Sequence, residues 1–572
     1  MKSKHIYVAD FETSTQAWLE RDNGCARVWL WDICTVNDEY KHKSGRTITE
    51  FMRTIASRKM GDSETVFFHN LRFDGMYILF WLQTRGFVWK QNGKDLKKQE
   101  YSTLISGEGI FYSIKVCFGE HCKNKNTVTF LDSLKKFPQG VRTLAKAYNL
   151  PILKGDIDYD EYREIGHYPT PEELSYIHND TEIVARALRT KLDNGLDRMT
   201  RASDALKDVI ESIGGKDVMR EIYPVLDAET DGNIRKAYKG GYVYVCEDYK
   251  NVYLHDVTSY DVNSLFPSVM RYEKLPYGVP VEFDGEYVED KSYPLYIQYM
   301  TCNFELKDGC LPTIQIKGCG RFIEAEYLKS SNGERVFLAL TSLDLKLFKE
   351  RYTITDVQYI GGYKFKAMRG IFDKYIDKWV KAKIENNDNP ALRQNAKDML
   401  NSLYGKFARR ISQKSKMPVL NENMEVSFEA YEDEENEPLY TALACFVTAY
   451  ARYKTMSTAQ RFYEAGSFIY SDTDSVHVLG SQPDWLDVDK TRLGAWKNEG
   501  TAEDARFLRP KTYIKRKHGE ICVTCAGMPD NIKSIATFDN FRYGQVFGGK
   551  LVQHAVKGGC VLVDTNFSIK VE

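Results

Sequence analysis

The sequence of 572 residues has no apolar run of membrane-spanning length, and it does not begin with a charged segment followed by a long apolar core. We therefore expect a cytoplasmic protein. Internal repeats and low-complexity tracts are also absent. The twelve cysteines are scattered, and the single C-x-x-C pair, Cys522 to Cys525, has no second pair at zinc-ribbon spacing. Reduced structural thiols are the favoured interpretation, with zinc binding as the alternative.

An excess of positive charge is missing too, because 79 basic residues face 80 acidic ones and the net charge is −1. Any nucleic-acid site must then come from a local cluster of cations. Aromatic residues are abundant, with 37 Tyr and 29 Phe, and they suit both core packing and base stacking. The length predicts roughly three to five domains.

The most informative stretch is Tyr470 to Ser475, in which Asp472 and Asp474 lie one residue apart between two short apolar segments. These segments predict two strands, which places the acids at the turn of a hairpin. Like charges this close repel each other, and a bound cation is the usual reason to tolerate them. Oxygen ligands without nearby His or Cys favour magnesium or manganese over zinc. The alternative is a solvated, Asp-rich turn.

A second set of acids begins at the amino end. Residues 6–13 alternate like a strand, which places Asp10 and Glu12 on one face. Asp74 follows where another strand gives way to a helix. Residues 170–173, T-P-E-E, predict a helix start with a capping box, and Tyr176 and Asp180 share a face of that helix.

Together the four acids could hold two metal ions that activate a water and stabilise the leaving oxygen of a phosphodiester. Tyr176 is placed to orient that water, and Asn70 and Phe73 flank Asp74. Each acid taken singly could instead be a surface charge.

The middle of the chain supplies further parts. Tyr238 to Tyr242, Y-K-G-G-Y, predicts a loop whose backbone can approach a phosphate. Asp261 lies at a strand edge, and Pro267 is expected to stop that strand and begin a helix. Asp261 offers a carboxylate from a separate segment to complete a metal pair with the hairpin. Residues 273 to about 371 are strand-like and turn-rich, which indicates an inserted module.

Residues 372–410 predict two helices joined near residues 386–390, with nine basic and five acidic residues and hence a local net charge of +4. The spacing places Arg393, Lys397, Asn401 and Tyr404 on one face. Such a face suits a triphosphate and its base, and a solvated basic face is the alternative.

Three further segments follow in the sequence. They are a second small insertion at 412–437, a long apolar helix at 441–465 that carries Arg452, and a strand with Lys511 and Tyr513 on one face.

With these pieces in order, the chain resembles the family B DNA polymerases, and specifically the protein-primed branch of small tailed phages such as those of Bacillus. Seven motifs carry the resemblance over nearly the whole length. The polymerase motifs are Asp261 to Pro267, Lys397 to Gly405, Tyr470 to Ser475 and Lys511 to Tyr513, and the exonuclease motifs are Asp10 to Glu12, Asn70 to Asp74 and Tyr176 to Asp180.

The resemblance implies an α+β and α/β multidomain fold, in which an RNase H-like 3′–5′ exonuclease domain precedes a right-hand polymerase with two protein-priming insertions. The implied domains are the exonuclease domain (1–200), the first part of the palm (201–272), insertion 1 (273–371), the fingers (372–408), insertion 2 (409–436), the second part of the palm (437–530) and the thumb (531–572).

Residue roles on the polymerase side follow from the motifs. Asp261 and Asp474 resemble the metal-holding carboxylates, with Asp472 as close support and Val262 as a further metal contact. The resemblance assigns nucleotide binding to Phe266, Arg393, Lys397, Asn401 and Tyr404, and DNA contacts to Tyr238, Gly240, Gly241, Arg452, Lys511 and Tyr513.

On the editing side, Asp10, Glu12, Asp74 and Asp180 match the metal ligands, and Tyr176 and Lys154 resemble catalytic helpers. Holders of the single-stranded 3′ end are expected at Thr13, Asn70, Phe73, Ser133 and Leu134.

Two departures from the family pattern stand out. Phe266 replaces the usual tyrosine, which removes a phenol hydrogen bond from sugar selection, and the stretch 514–521 is shorter than the branch usually has.

The implied reaction is two-metal phosphoryl transfer with Mg²⁺, for which Mn²⁺ substitutes, on a DNA primer-template with dNTPs. The first primer is expected to be a hydroxyl of a terminal protein, which forms a heterodimer with the polymerase at initiation. The polymerase is otherwise expected to be a monomer in the cytoplasm of the infected bacterial host.

Three alternative functions are a stand-alone exonuclease with a degenerate polymerase half, a non-catalytic DNA-binding scaffold, and a palm enzyme of the reverse-transcriptase kind. The complete acid and lysine sets argue against the first two, and the editing acids argue against the third.

Overall fold

The computed structural model describes residues 5–57, 64–119, 126–316, 326–410, 412–435 and 439–570. The fold is a mixed α+β multidomain arrangement with several separate sheets, as the sequence predicts. Among these residues, no helix combines the length and the apolar character that a membrane crossing requires.

The amino-terminal unit is built on an eight-stranded sheet. Its elements are β1 (Ile6–Thr13), β2 (Val28–Thr35), β3 (His42–Gly45), α1 (Ile48–Ala56), β4 (Glu64–Phe68), α2 (Leu71–Thr84), β5 (Val88–Trp89), β6 (Glu100–Ile105), β7 (Phe111–Cys117), β8 (Thr127–Asp132), α3 (Val141–Ala147) and α4 (Pro171–Asp193). The strand order is β3-β2-β1-β4-β8-β7-β6-β5. β4 pairs in parallel with both β1 and β8 and every one of its residues is buried, which suits the apolar Val66, Phe67 and Phe68 at its end.

The start of α4 confirms the predicted capping box. The Thr170 side chain accepts a hydrogen bond from the Glu173 N–H, the Glu173 carboxylate accepts one from the Thr170 N–H, and Pro171 is the first helical residue. These contacts fix the beginning of the helix that carries Tyr176 and Asp180.

The second unit centres on a seven-stranded antiparallel sheet of order β21-β20-β19-β10-β18-β17-β9. Its first segment contains α5 (Arg201–Ser212), α6 (Lys216–Ile222), α7 (Ala228–Arg235), β9 (Val243–Val245), β10 (Tyr253–Val262) and α8 (Leu265–Tyr272). Pro267 lies in the first turn of α8, so the strand ends several residues before it and not at the proline. Two strands of this segment therefore join one sheet with strands from the far end of the chain.

The predicted first insertion contains a four-stranded sheet of order β11-β14-β12-β13. Its elements are β11 (Leu275–Asp284), β12 (Leu295–Leu306), β13 (Val336–Thr341), α9 (Ser342–Arg351) and β14 (Tyr352–Met368). Two predicted helices follow as α10 (Asp373–Glu385) and α11 (Pro390–Ser402), with a short α12 (Tyr404–Phe407). The hairpin β15 (Ser412–Leu420) and β16 (Val426–Glu435) occupies the predicted second insertion.

The rest of the second unit begins with the buried helix α13 (Thr441–Glu464). After it come β17 (Phe468–Asp472), β18 (Ser475–Leu479), β19 (Trp496–Arg509), β20 (Thr512–Lys517), β21 (Glu520–Cys525), α14 (Asp530–Lys533), β22 (Val546–Val556) and β23 (Gly559–Ser568). On β21, Cys522 is exposed whereas Cys525 is buried. Residues three apart on a strand point to opposite faces, so these thiols cannot share a metal.

Two hairpins from the second unit dock on the first. On the terminal hairpin, the Cys560 carbonyl accepts a hydrogen bond from the Tyr77 hydroxyl, and Gly559 lies so close that a Cβ would be 2.5 Å from the Tyr77 ring. On the β15–β16 hairpin, the Lys414 carbonyl accepts from the Gly107 N–H at 2.6 Å and the Pro418 carbonyl from the Gln83 amide at 2.8 Å. The hairpins thus link the carboxyl-terminal half of the chain to the first sheet.

Buried ion pairs fasten the two units together. Lys191 on α4 contacts Asp398 on α11 at 2.8 Å, with side chains 1% and 7% exposed, and Arg201 reaches the other oxygen of Asp398 at 3.1 Å. Lys136 contacts Asp204 on α5 at 3.0 Å, with both side chains buried. The long helix of the first unit is therefore held against the helices that carry the predicted nucleotide contacts.

Asp398→Ala should be strongly destabilising, because it leaves the Lys191 ammonium buried without a partner. We expect a loss of about 3–5 kcal/mol, measured as a lower denaturation midpoint of the first unfolding transition. Asp377→Ala is the control, since it removes a carboxylate that is 60% exposed in its pair with Arg271, and should cost about 1 kcal/mol or less. Equal shifts for the two variants would contradict the clamping role of Asp398.

Candidate functional site

The hairpin turn at Thr473 and Asp474 lies against the end of β10. Asp472 ends β17 and Ser475 begins β18, as predicted, and Asp261 on β10 is the Cα partner of Ser475. The Val262 N–H donates to the Asp474 carbonyl at 2.8 Å. The structure thus brings Asp261 and Val262 of one segment next to Asp472 and Asp474 of another.

Burial and mutual repulsion perturb these acids. Removal from water, followed by the charges of Asp474 and Glu499, raises the pKa of Asp261 to about 7. Burial also raises the pKa of Asp474, and the Asp472 charge adds to the effect. One oxygen of Asp261 is buried without a hydrogen-bond partner.

Asp472 differs from its neighbours because it has partners. The Lys511 ammonium lies 3.0 and 3.1 Å from its two oxygens, and the Tyr470 hydroxyl donates to one of them at 3.2 Å. The Tyr513 ring lies 5.4 Å from the Tyr470 ring on the same side. Asp472 is therefore neutralised by the protein, whereas Asp261 and Asp474 are not.

The loop at 238–242 contacts the hairpin turn directly. The Thr473 N–H donates to the Tyr242 carbonyl at 2.7 Å, and a Cβ on Gly241 would lie 2.6–2.9 Å from the side-chain atoms of Thr473. Thr473 itself adopts a φ of +58°, which is strained for a β-branched residue. Glycine at 241 is therefore required by a close approach, while Gly240 is exposed with nothing near its Cβ position.

Arg452, for which a DNA contact is predicted, lies with its side chain inside the protein, and its DNA contact stays a prediction. Its side chain is 2% exposed and pairs with Asp344 of α9 at 2.8 Å. The same guanidinium donates to the Lys239 and Gly240 carbonyls at 2.7 and 2.8 Å. Arg452 ties the first insertion and α13 to the 238–242 loop.

The predicted nucleotide pocket contains a ring pair. Phe266 and Tyr404 stack with their centroids 3.9 Å apart and an interplanar angle of 23°. Arg393, Lys397 and Asn401 lie on α11, but Tyr404 begins α12, because α11 ends at Ser402. Burial raises the pKa of Tyr404 to about 12, so its hydroxyl stays protonated.

Cations converge beside this pocket. The pKa of Lys397 is lowered by burial and by the charges of Arg393 and Lys497. The pKa of Lys383 is lowered by burial and by the charges of Lys397, Arg393 and Lys497. The Nε of Arg393 is buried without a hydrogen-bond partner. Sequence reasoning missed Lys383 on α10 and Lys497 on β19, because their approach to α11 depends on tertiary packing alone. The cluster suits a polyanionic ligand.

The first unit assembles the second set of acids. Asp10 and Glu12 lie on β1, Asp74 in the first turn of α2, and Asp180 on α4. Burial and the Asp180 charge raise the pKa of Asp10 to about 7. Burial likewise raises the pKa of Glu12 and Asp74 well above the usual range, with Asp10 as the next cause in both cases.

Lys154 and Tyr176 join this set. The Lys154 ammonium contacts a carboxylate oxygen of Asp180 and lies 4.9 Å from the centre of the Tyr176 ring. The Tyr176 hydroxyl is hydrogen-bonded to that of Tyr159. Tyr159 was not predicted, because it lies in a loop with no regular period that could place it near the helix.

The predicted holders of a 3′ end surround these acids. Thr13 follows Glu12 at a bulge in β1, and Asn70, with φ +80°, is the N-cap residue of α2, three residues before the half-buried Phe73. The N–H groups of Asn70 and Leu134 donate to one Asp132 oxygen at 3.2 and 3.0 Å. Ser133 is fully buried, with its hydroxyl on the His69 ring at 2.8 Å, so its side chain supports this turn from within.

Both acid sets have the chemistry that a hard cation requires. One oxygen each of Asp74, Asp180 and Asp261 is buried without a hydrogen-bond partner. Among the described residues, no three of these acids bring ligand atoms within 4.8 Å of one another, as expected for carboxylates that repel each other. Oxygen-only donors of this kind fit Mg²⁺ or Mn²⁺.

Comparisons with known proteins agree on a family. A family model described as "DNA polymerase type B, organellar and viral" matches residues 55–170 and 162–489. The chain is 42% identical to the DNA polymerase of Bacillus phage Nf, covering 99% of this chain and 100% of the relative, and 41% identical to that of Bacillus phage phi29, covering 99% of each. A solved structure of phi29 DNA polymerase with primer-template DNA and incoming nucleotides superposes with a TM-score of 0.91 at 40% identity, covering 99% of this chain and 100% of that one.

Gly241→Ala should impair nucleotide incorporation, because the new methyl group forces the loop away from Thr473. We expect a loss of at least about tenfold, since small misplacements of reacting groups cost rates of this order. Primer extension under single-turnover conditions measures it.

Gly232→Ala on α7 is the control, since its Cβ has open space. Thr473→Gly in the Gly241→Ala background removes the clashing side chain at a φ that glycine tolerates, and should restore much of the rate. A double variant as slow as Gly241→Ala would show that the close approach is not the cause.

Proposed function

Because the chain belongs to the type B DNA polymerases of organelles and viruses, we propose that it replicates linear phage DNA and starts each strand on a protein primer. We further propose that it displaces the strand ahead of it and edits its product at a second active site. It is a DNA-directed DNA polymerase of the phi29 type. The observation that carries the proposal is the presence of two separate sets of buried, mutually repelling carboxylates on different sheets.

Polymerisation is assigned to the acids of the seven-stranded sheet. Mg²⁺ held by Asp261 and Asp474 would lower the barrier for attack of a primer 3′-hydroxyl on the α-phosphate of a dNTP. Arg393, Lys397 and Lys383 bind the triphosphate and offset the charge of the leaving pyrophosphate. The Phe266–Tyr404 ring pair bounds the sugar, and Lys511 keeps Asp472 neutralised beside the reacting groups.

Editing is assigned to the acids of the first sheet. Asp10, Glu12, Asp74 and Asp180 would hold Mg²⁺, which supplies a hydroxide nucleophile from water at neutral pH. Lys154 neutralises one oxygen of Asp180, and the paired hydroxyls of Tyr176 and Tyr159 orient a water at the scissile phosphate. Thr13, Asn70, Phe73 and Leu134 line the approach of a frayed 3′ end.

Protein priming and strand displacement rest on the insertions. The β15–β16 hairpin contacts the editing unit, and α9 of the first insertion reaches the 238–242 loop through Asp344 and Arg452. These contacts join the insertions to both units, which supports the proposal that they guide DNA between the two sites. We propose a terminal protein as the initiation partner, primer-template DNA and dNTPs as substrates, and the host cytoplasm as the place of action.

Two substitutions separate the activities. Asp474→Ala should abolish dNTP incorporation and leave 3′ degradation of single strands, whereas Asp10→Ala should do the opposite, because each removes a carboxylate from one set only. Extension and degradation assays on one labelled oligonucleotide measure both. Loss of both activities in either variant, with a normal unfolding profile, would refute the assignment of two sites.

Extension of a single primer on a circular template tests strand displacement. We expect products longer than the circle without any helicase, while a primed single-stranded linear template of defined length controls for simple fill-in. Stalling at the first duplex would contradict the roles of the insertions.

With the primer omitted, a terminal protein that offers a Ser, Thr or Tyr hydroxyl should become covalently linked to dNMP.

A further inference from the structure

A cluster of two histidines and an aspartate lies at the outer edge of the first sheet. Asp32 is on β2, His42 on the neighbouring edge strand β3, and His178 on α4. The His42 Nδ1 is 2.8 Å from one oxygen of Asp32, and the His178 Nε2 is 3.5 Å from the other. Among the described residues, this is the group of three potential ligands whose donor atoms all lie within 4.8 Å of one another.

The surroundings hold these side chains in place. Asp32 is fully buried and accepts hydrogen bonds from the hydroxyls of Thr181 at 2.6 Å and Ser44 at 2.9 Å. The other ring nitrogen of His42, Nε2, lies 3.3 Å from a Glu182 oxygen. A carboxylate on the far nitrogen of a ligating histidine is the usual outer partner at metal sites, where it fixes the ring and its tautomer.

The geometry is close to what a four-coordinate metal needs. Bonds of about 2.0–2.2 Å to nitrogen and oxygen put the ligand atoms of a tetrahedral site about 3.3–3.5 Å apart. His42 Nδ1 and His178 Nε2 lie 2.8 and 3.5 Å from the two different oxygens of Asp32, and one ligand atom from each of the three residues lies within 4.8 Å of the others, so small side-chain shifts would bring all three onto one ion. The side chains of His42 and His178 are 18% and 31% exposed, so a metal has a route from solvent and water can take the fourth position.

Without a metal, the same groups form a hydrogen-bond network, since Ser44 also lies 2.8 Å from the His178 Nε2. A hydrogen-bond network alone does not explain why the rings of His42 and His178 stack 4.3 Å apart on one buried carboxylate. Nor does it explain why a second carboxylate, Glu182, contacts the far nitrogen of His42. Two imidazoles and one carboxylate favour zinc or a similar first-row ion over Mg²⁺.

We propose that Asp32, His42 and His178 form a binding site for Zn²⁺ or a similar divalent transition-metal ion, distinct from the two sets of catalytic carboxylates. The site joins the edge strands β2 and β3 to α4. Asp32 is the direct cross-strand partner of Asp10, and α4 carries Tyr176 and Asp180. A bound ion therefore fixes the edge of the editing unit beside its acids. This inference does not depend on the proposed function.

Metal binding by the full chain tests the site directly. The chelator-treated protein is titrated with Zn²⁺ against a chromogenic zinc chelator, with millimolar Mg²⁺ present to occupy the oxygen-only sites. We expect one tightly bound Zn²⁺ per chain. His42→Gln and His178→Gln should each weaken it by more than about 100-fold, and Glu182→Gln by about 10–100-fold, the usual effect of losing an outer partner.

His255→Gln is the matched control, because His255 also contacts a carboxylate, Asp504, at 2.9 Å but belongs to no three-ligand group in the part of the chain that the structure describes. It should bind Zn²⁺ like the unaltered chain. A Co²⁺ titration of the unaltered chain adds a test that needs no variant, because tetrahedral coordination gives intense visible bands and an octahedral oxygen site gives weak ones.

Two results would overturn the proposal. One is the absence of stoichiometric Zn²⁺ binding, or only weak Co²⁺ bands, in the unaltered chain. The other is Zn²⁺ binding that stays within about threefold in His42→Gln and His178→Gln, a change too small for the loss of a ligand.

Discussion

Repulsion between buried carboxylates is the constraint on which both functional centres depend. Asp261 and Asp474 at one centre, and Asp10, Glu12 and Asp74 at the other, all have raised pKa values because burial and neighbouring acids oppose their charge. Each centre moderates this repulsion with one lysine on one acid, namely Lys511 on Asp472 and Lys154 on Asp180. The remaining oxygens stay available to a cation. The two centres thus share an electrostatic plan although their sheets differ in topology.

Holding such acids together requires rigid support, and Arg452 provides it at the polymerase centre. A buried guanidinium is tolerated only with complete hydrogen bonding. Here it has Asp344 on one side and two backbone carbonyls of the 238–242 loop on the other. Thr455 of the same helix donates to the Thr473 carbonyl at 2.8 Å. One helix therefore positions both the loop and the turn, which explains how the strained φ of Thr473 is maintained.

The parts that the sequence predicts correctly are those encoded over a few residues. The hairpin around Asp472 and Asp474 follows from alternating apolar residues on each side of a turn, and the capping box at Thr170 follows from residue spacing alone. The burial of Arg452 is not predicted from the sequence, because burial depends on what packs around a helix. Lys383 and Tyr159 were missed for the same reason. The positions of the acids relative to one another came from the family resemblance, because local spacing carries no information on distant segments.

The cations beside the polymerase acids complete the electrostatic argument with the opposite sign. Burial and the charges of Arg393 and Lys497 lower the pKa of both Lys383 and Lys397, just as burial and neighbouring acids raise the pKa of Asp261 and Asp474, so the free protein holds two clusters of opposite charge. Lys497 links the two clusters, because its charge also opposes the rise in the pKa of Asp261. A polyanion accompanied by a divalent cation relieves both repulsions at once. Neither ligand alone would do so, and under the proposed function substrate recognition at this centre is a joint property of the two clusters.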